Sequence, residues 1–189
     1  SDVLDPRPET ETLIAAALER PFARVLDLGT GSGAILMTLL AERSEATGLG
    51  TDISIGALAM AEKNARRIGV TKRAEVIRSD WFQAVTGSFD LIVSNPPYIP
   101  KADLAALAEE LRFEPEIALT DGADGLSAYR AIFAGAHGHL APGGAVMVEF
   151  GAGQGPDVAA IAEKAGWRIS RFHADLDGRD RVLVVDAPD

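Results

Sequence analysis

The sequence predicts an α/β fold: a seven-stranded, mostly parallel sheet with helices on both faces and one antiparallel strand near the C-terminus. Apolar runs of strand length alternate with stretches of helical composition, the pattern of strands joined by crossover helices. A glycine-rich turn, Gly29-Thr30-Gly31-Ser32-Gly33, links the first run to the helix after it. The last two runs are separated only by the short polar stretch Ala174 to Arg181. A parallel crossover takes about a dozen residues or more, so these two strands are expected to pair antiparallel.

Taken in order, residues 1–22 form an N-terminal segment with the first helix and 23–189 the remaining domain. Arg24 to Leu28 is a short buried strand, and Ala34 to Arg43 has helical composition. Thr47 to Thr51 reads as the second strand, with Asp52 at its end. Ser54 is placed to cap a helix that runs through Arg67 and stops at Gly69. Ala74 to Arg78 and Phe89 to Val93 are the next strands, the latter stopped by Asn95-Pro96-Pro97-Tyr98, because proline cannot continue a central strand. Lys101 to Arg112 reads as helix and Phe113 to Gly125 as irregular. A helix over Leu126 to His139 follows, then a Pro142-Gly143-Gly144 turn and a strand to Phe150. Asp157 to Ala165 is the last helix, with strands at Trp167 to Phe172 and Val182 to Val185.

A chain of 189 residues is one ordinary domain, and roughly 70% of its unfolded surface can be buried without staples. It contains no cysteine, which removes disulfide frameworks, thiolate metal sites and cysteine nucleophiles and fits a reducing compartment such as the cytoplasm. Eighteen basic against twenty-eight acidic residues give a net charge of −10. A partner of bare duplex nucleic acid would call for a basic footprint instead. No apolar run has the length of a membrane span. Ser1-Asp2 is not an initiator and a motif begins at Asp5, so further chain is expected upstream.

The candidate site residues all fall at carboxyl ends of strands, where open α/β sheets bind ligands. The glycine turn lets backbone approach a ligand and presents helix N-terminal amides to negative charge; with Ala34 it also fits a dinucleotide fingerprint. Asp52 lies about two dozen residues after Asp27 and can accept both hydroxyl hydrogens of a ribose. An acid there also suits the start of the following helix. Asp80 can accept from an exocyclic amine and Trp81 can cover an adenine face, although a lone tryptophan is more often core. Asn95-Pro96-Pro97-Tyr98 is the sharpest signal. The Asn95 side-chain oxygen and the Pro96 carbonyl together can accept the hydrogens of one planar amino group, with the Tyr98 ring beside them. Such a loop can aim a nitrogen lone pair at an electrophile.

No charged general base joins this group. His137 and His139 flank a glycine at a helix end, His173 precedes a polar loop, and no His/Asp/Glu spacing resembles a metal site. The absence of a base suits methyl transfer from a sulfonium, which needs positioning more than proton transfer.

Val25-Leu26-Asp27-Leu28-Gly29-Thr30-Gly31-Ser32-Gly33, Asp52 and Asn95-Pro96-Pro97-Tyr98 together resemble the class I S-adenosylmethionine-dependent methyltransferases that act on a planar nitrogen. Four more strings narrow the resemblance: Pro6-Arg7-Pro8-Glu9-Thr10-Glu11, Ser94 to Ile99, Asp121-Gly122-Ala123-Asp124-Gly125-Leu126, and Gly178-Arg179-Asp180-Arg181. In this order, over nearly the whole chain, they are similar to the peptide chain release factor N5-glutamine methyltransferases. The resemblance implies a Rossmann-like methyltransferase domain that methylates the glutamine of a Gly-Gly-Gln tripeptide in class 1 release factors, with S-adenosyl-L-methionine as cofactor and S-adenosyl-L-homocysteine as product. It gives Gly29, Thr30, Gly31, Ser32 and Gly33 the methionine and ribose end of the cofactor, Asp52 the ribose hydroxyls, and Asp80 and Trp81 the adenine side. Asn95, Pro96 and Tyr98 become catalytic, with Asn95 also at the cofactor and Pro97 completing the substrate loop. Arg7 and Glu9 would help build the pocket wall, or else form a salt-bridged helix start. A monomer in the cytoplasm is implied. Two departures are visible: Asp5 stands where an aliphatic residue is expected, and the family's helical N-terminal domain, which helps grip the release factor, is absent from this sequence.

Three other readings remain open. A nucleic-acid N-methyltransferase can use the same Asn-Pro-Pro-Tyr loop on exocyclic amines, but base flipping asks for extra recognition surface and positive charge. A nicotinamide dehydrogenase explains the glycine fingerprint and leaves the Asn95 loop without purpose. A cofactor-binding scaffold without catalysis would have no need of that loop either.

Overall fold

The apolar runs assemble into one seven-stranded sheet, order β3-β2-β1-β4-β5-β7-β6. A computed structural model of the chain describes residues 8–102, 119–120 and 122–188. Its elements are α1 (Pro8–Leu18), β1 (Arg24–Leu28), α2 (Ala34–Glu42), β2 (Thr47–Asp52), α3 (Ile55–Ile68), β3 (Ala74–Arg78), β4 (Phe89–Ser94), α4 (Ser127–Ala136), β5 (Leu140–Glu149), α5 (Gly155–Lys164), β6 (Arg168–Ala174) and β7 (Asp180–Asp186). β1 to β5 pair in parallel, while β7 runs antiparallel between β5 and β6. The expected helix at Lys101 to Arg112, and most of the irregular stretch to Gly125, lie outside the described residues.

The central strands β1, β4 and β7 each bury all but one of their residues, and the alternation of side chains sorts the core into two layers. Val25, Leu91, Val93, Met147 and Val184 face α1, α2 and α3. Leu26, Ile92, Val146, Val148 and Leu183 face α4 and α5. The α3 ends match expectation: Ser54 Oγ accepts from the Ala57 amide at 3.3 Å, and Gly69 closes the helix at φ 87°.

Several boundaries differ from the sequence reading; β6 and β7, for example, each extend two residues further toward their shared turn, to Ala174 and from Asp180. The Pro142-Gly143-Gly144 turn lies inside β5 rather than before it. Phe89 pairs with Leu140 and Leu91 with Ala145, so the strand starts early and bulges out around the turn. Helix α5 begins at Gly155, two residues before Asp157, because Pro156 is accommodated in a helix's first turn. Helix α4 stops at Ala136 rather than His139. Beyond its end, His137 stacks on Trp167 at 4.0 Å and His139 on Phe82 at 5.1 Å.

Because β7 reverses, the β6–β7 turn closes at the carboxyl edge of the parallel strands. Asp175 holds that turn, accepting from the Asp177 and Arg179 amides at 3.0 Å and from Arg181 Nε at 2.9 Å. Among the described residues no helix is long and apolar enough to cross a membrane.

Candidate functional site

Strand β1 delivers the glycine turn to the carboxyl edge. Gly29 has φ 67°, and a Cβ there would meet nothing within 4 Å, so the turn is strained for other residues and faces open space. Gly33 has the opposite reason: at φ 77° its Cβ would press on Met37 Cε at 3.0 Å and Ala61 Cβ at 3.2 Å. That closeness lets α2 start tight against α3. Thr30 is buried, its amide donating to the Thr51 carbonyl at 2.8 Å and its hydroxyl to Asp27 Oδ2 at 2.6 Å. Ser32 is half-buried, and its carbonyl accepts from Asn64 Nδ2 at 2.9 Å.

Asp27 is fully buried beneath this turn, and its Oδ1 makes no hydrogen bond of good geometry among the described residues. Burial pushes its carboxyl up to about 7, against the pull of the Thr30 hydroxyl and the Leu36 amide and with a small push from Asp52.

Asp52 ends β2, where it stands at the approach to the following helix. Oδ2 accepts the Gly31 amide at 2.9 Å and Oδ1 the Ser54 amide at 2.8 Å, so one carboxylate ties the glycine turn to the approach of α3. Each oxygen keeps a further lone pair for a ligand. The Asp52 carbonyl in turn accepts the Ser79 amide at 3.1 Å, which brings the end of β3 alongside. Asp80 is exposed, with Gln83 Nε2 donating to its Oδ2 at 3.1 Å. Trp81 is half-buried at φ 48°, held there by the Ser79 hydroxyl on its carbonyl at 2.8 Å. A bulky residue in the left-handed region is costly and marks a held position.

Strand β4 delivers the proline loop. Ser94 Oγ binds the Leu28 carbonyl at 2.7 Å, fixing β4 to β1 where both strands end. Asn95 is half-buried and its Nδ2 donates to Thr10 Oγ1 at 3.1 Å; among the described residues its Oδ1 accepts nothing. Pro96 is buried and Pro97 half-buried. The Tyr98 carbonyl accepts from Gln154 Nε2 at 2.9 Å, while Gln154 Oε1 takes the Gly151 amide at 2.9 Å. A Cβ on Gly151 would meet the Tyr98 ring at 3.0 Å, and one on Gly125 would collide with the Tyr98 carbonyl. Two glycines thus make room for the loop.

The structure therefore brings Gly29 to Gly33, Asp52, the Asp80-Trp81 turn and Asn95 to Tyr98 to one edge of the sheet, at the ends of adjacent strands β3, β2, β1 and β4. Asp5, Arg7 and the Glu9 side chain lie outside the described residues. Three contributors escaped the sequence reading. Asp27 carries a signal, a charged residue inside an apolar strand run. Thr10 sits in a quoted string yet was given no role. Gln154 carries no sequence signal at all.

Comparison with known proteins gives a consistent picture. The methyltransferase small domain family matches residues 5–123. A release factor glutamine methyltransferase of Cereibacter sphaeroides is 56% identical over 99% of this chain, which spans 68% of that protein. One of Rhodospirillum rubrum is 53% identical over 98% of the chain, which spans 58% of it. Among solved structures, a ribosomal protein L11 methylase from Lactobacillus delbrueckii subsp. bulgaricus superposes with TM-score 0.71 at 23% identity, covering 100% of this chain and 82% of that one. A methyltransferase from Pyrococcus furiosus gives TM-score 0.73 at 18% identity, covering 97% of this chain and 84% of that one. These structural likenesses speak for the fold.

Proposed function

This chain belongs to the methyltransferase small domain family and to the release factor glutamine methyltransferases, and from that premise we propose that it methylates the side-chain amide nitrogen of the glutamine in the Gly-Gly-Gln motif of class 1 release factors. The methyl donor is S-adenosyl-L-methionine. The residues present fit such a cofactor: the space over Gly29 is open, α2 begins at the turn, and among the described residues the buried Asp27 Oδ1 has no hydrogen bond of good geometry. Gly29 to Gly33 would hold its methionine and ribose end, Asp52 the ribose hydroxyls, and Asp80 with Trp81 the adenine side. When bound it supplies an electrophilic methyl group on a sulfonium.

The observation that carries the reading is the Asn95 amide. Its nitrogen donates to Thr10, leaving Oδ1 as an acceptor, and the Pro96 carbonyl follows it in the chain as a second. Two acceptors grip the two hydrogens of a glutamine amide and fix the nitrogen in the plane from which it reacts. Methyl transfer would form one N–C bond there as the sulfonium's S–CH3 bond breaks, leaving S-adenosyl-L-homocysteine as a neutral thioether, and the nitrogen would release one proton to solvent. Tyr98, pinned through Gln154, shapes the slot, and Pro97 stiffens it. Translation termination, as the setting, puts the protein in the cytoplasm.

Mass spectrometry of a class 1 release factor incubated with the protein and S-adenosylmethionine tests this, with RNA as a parallel acceptor. A methyl group on the Gly-Gly-Gln glutamine is the expected result. Methylated RNA with untouched release factor would overturn the reading in favour of a nucleic-acid amine.

A further inference from the structure

Helix α1 packs through Leu13, Ala16 and Ala17, all essentially buried. Thr10 precedes Leu13 by three residues and Ala17 by seven, which puts it on the same stripe, and it is 6% exposed. The periodicity asks for an apolar residue at that point. A buried hydroxyl there is unfavourable unless it is hydrogen-bonded, and among the described residues it accepts from Asn95 Nδ2 at 3.1 Å, across 85 residues of chain.

In that bond the Thr10 oxygen accepts, so the Asn95 amide stands with Nδ2 toward α1 and Oδ1 turned from it. A carboxamide is nearly symmetric in shape and opposite in chemistry on its two sides. With Nδ2 on Thr10, Oδ1 is the atom left for an incoming amide. Turned over, the side chain would present donor hydrogens to the donor hydrogens of glutamine, and the slot would repel the group it is built to hold.

We propose that Thr10 is a positioning residue for methyl transfer, whose hydroxyl locks the Asn95 amide with its oxygen toward the acceptor nitrogen. The proposal deepens the glutamine-methyltransferase reading and rests on it. Thr10 touches neither substrate nor cofactor; it acts through Asn95.

The test uses Thr10→Val, close in shape but without an acceptor, and Thr10→Ser, which restores the hydroxyl. Thr10→Val should lower kcat on a release factor about 10- to 100-fold, with KM within about 3-fold of wild type. Thr10→Ser should recover to within about 3-fold, and cofactor affinity by calorimetry should be unchanged in both. In an Asn95→Ala background, Thr10→Val should add less than about 2-fold, because the group it positions is gone. NMR gives a readout free of turnover: the Asn95 side-chain amide protons should exchange with solvent faster in Thr10→Val than in wild type or Thr10→Ser. Wild-type kcat in Thr10→Val, a Thr10→Ser variant as impaired as Thr10→Val, or unchanged exchange would each overturn the proposal. A wild-type protein that leaves the release factor unmodified overturns the substrate reading instead, and the exchange rates then decide the Thr10–Asn95 link by themselves.

Discussion

The two edges of the sheet are built from the same kinds of groups and treat them in opposite ways. At the amino edge, side chains close off the backbone. Asp90 Oδ2 accepts the Ala23 and Arg24 amides at 2.8 and 2.9 Å, and the Arg24 guanidinium reaches the Ser88 carbonyl while lying 4.9 Å over the Phe89 ring. Arg73 donates to the carbonyls of Leu40, Arg43 and Ala46, which caps the C-terminal end of α2 with a cation. At the carboxyl edge, among the described residues, Asp27 Oδ1 has no hydrogen bond of good geometry, Asn95 Oδ1 accepts nothing, and Gly29 faces open space. Satisfied polar groups hold an edge together; polar groups held rigid and unsatisfied are ready for a ligand.

Substitutions at each edge should therefore fail differently. The largest effect is expected from Asn95→Ala, which should cut kcat by about 10²–10³ while cofactor affinity stays within about 3-fold. Turnover at the wild-type rate would strip Asn95 of its assigned role.

Next comes Asp27. Its folded carboxyl keeps its proton to about 7, against 3.8 ordinarily, so between those values the folded chain binds more protons than the unfolded one. Stability without cofactor therefore falls as pH rises toward 7. Asp27→Asn has no proton to lose, and its stability relative to wild type should rise by about 2–3 kcal/mol between pH 5 and 8. Urea unfolding at both pH values checks it; parallel pH curves for the two proteins would contradict it.

At the amino edge, Arg73→Ala should lower unfolding free energy by about 2 kcal/mol. Activity per folded molecule should not change, and a loss of kcat without a loss of stability would erase the contrast between the edges. The smallest effect is expected from Asp52→Asn, which keeps one acceptor oxygen and should weaken cofactor binding about tenfold. Calorimetry showing unchanged affinity would return Asp52 to a purely structural link between Gly31 and Ser54.

Much of the fold could be read from the residues because burial on both faces writes strands as unbroken apolar runs, as in Leu91-Ile92-Val93. The caps of α3 were legible since Ser54 and Gly69 act locally. The bulge in β5 was not, because Pro142-Gly143 signals a turn whether or not pairing resumes on both sides of it. The candidate site divides in the same way. Turns that follow strands announce themselves, and the strand-end positions of Gly29 to Gly33, Asp52 and Asn95 to Tyr98 were legible for that reason. Thr10 and Gln154 reach their partners across 85 and 56 residues, and only tertiary packing puts them there.

The reversed strand β7 also bears on how this architecture can vary. Every other junction at the carboxyl edge joins a strand to a crossover, and several carry the candidate site itself. The β6–β7 turn is a simple reversal clamped at its base by Asp175, with Leu176 exposed at its tip. Closing a longer flexible loop is thermodynamically cheap, roughly 0.6 kcal/mol for each doubling of length. Residues inserted beside Leu176 would lengthen the rim facing a protein substrate while the sheet register and the glycine turn stay as they are. Among the junctions on this edge, the hairpin tip is the natural place to graft new recognition onto an unchanged reaction.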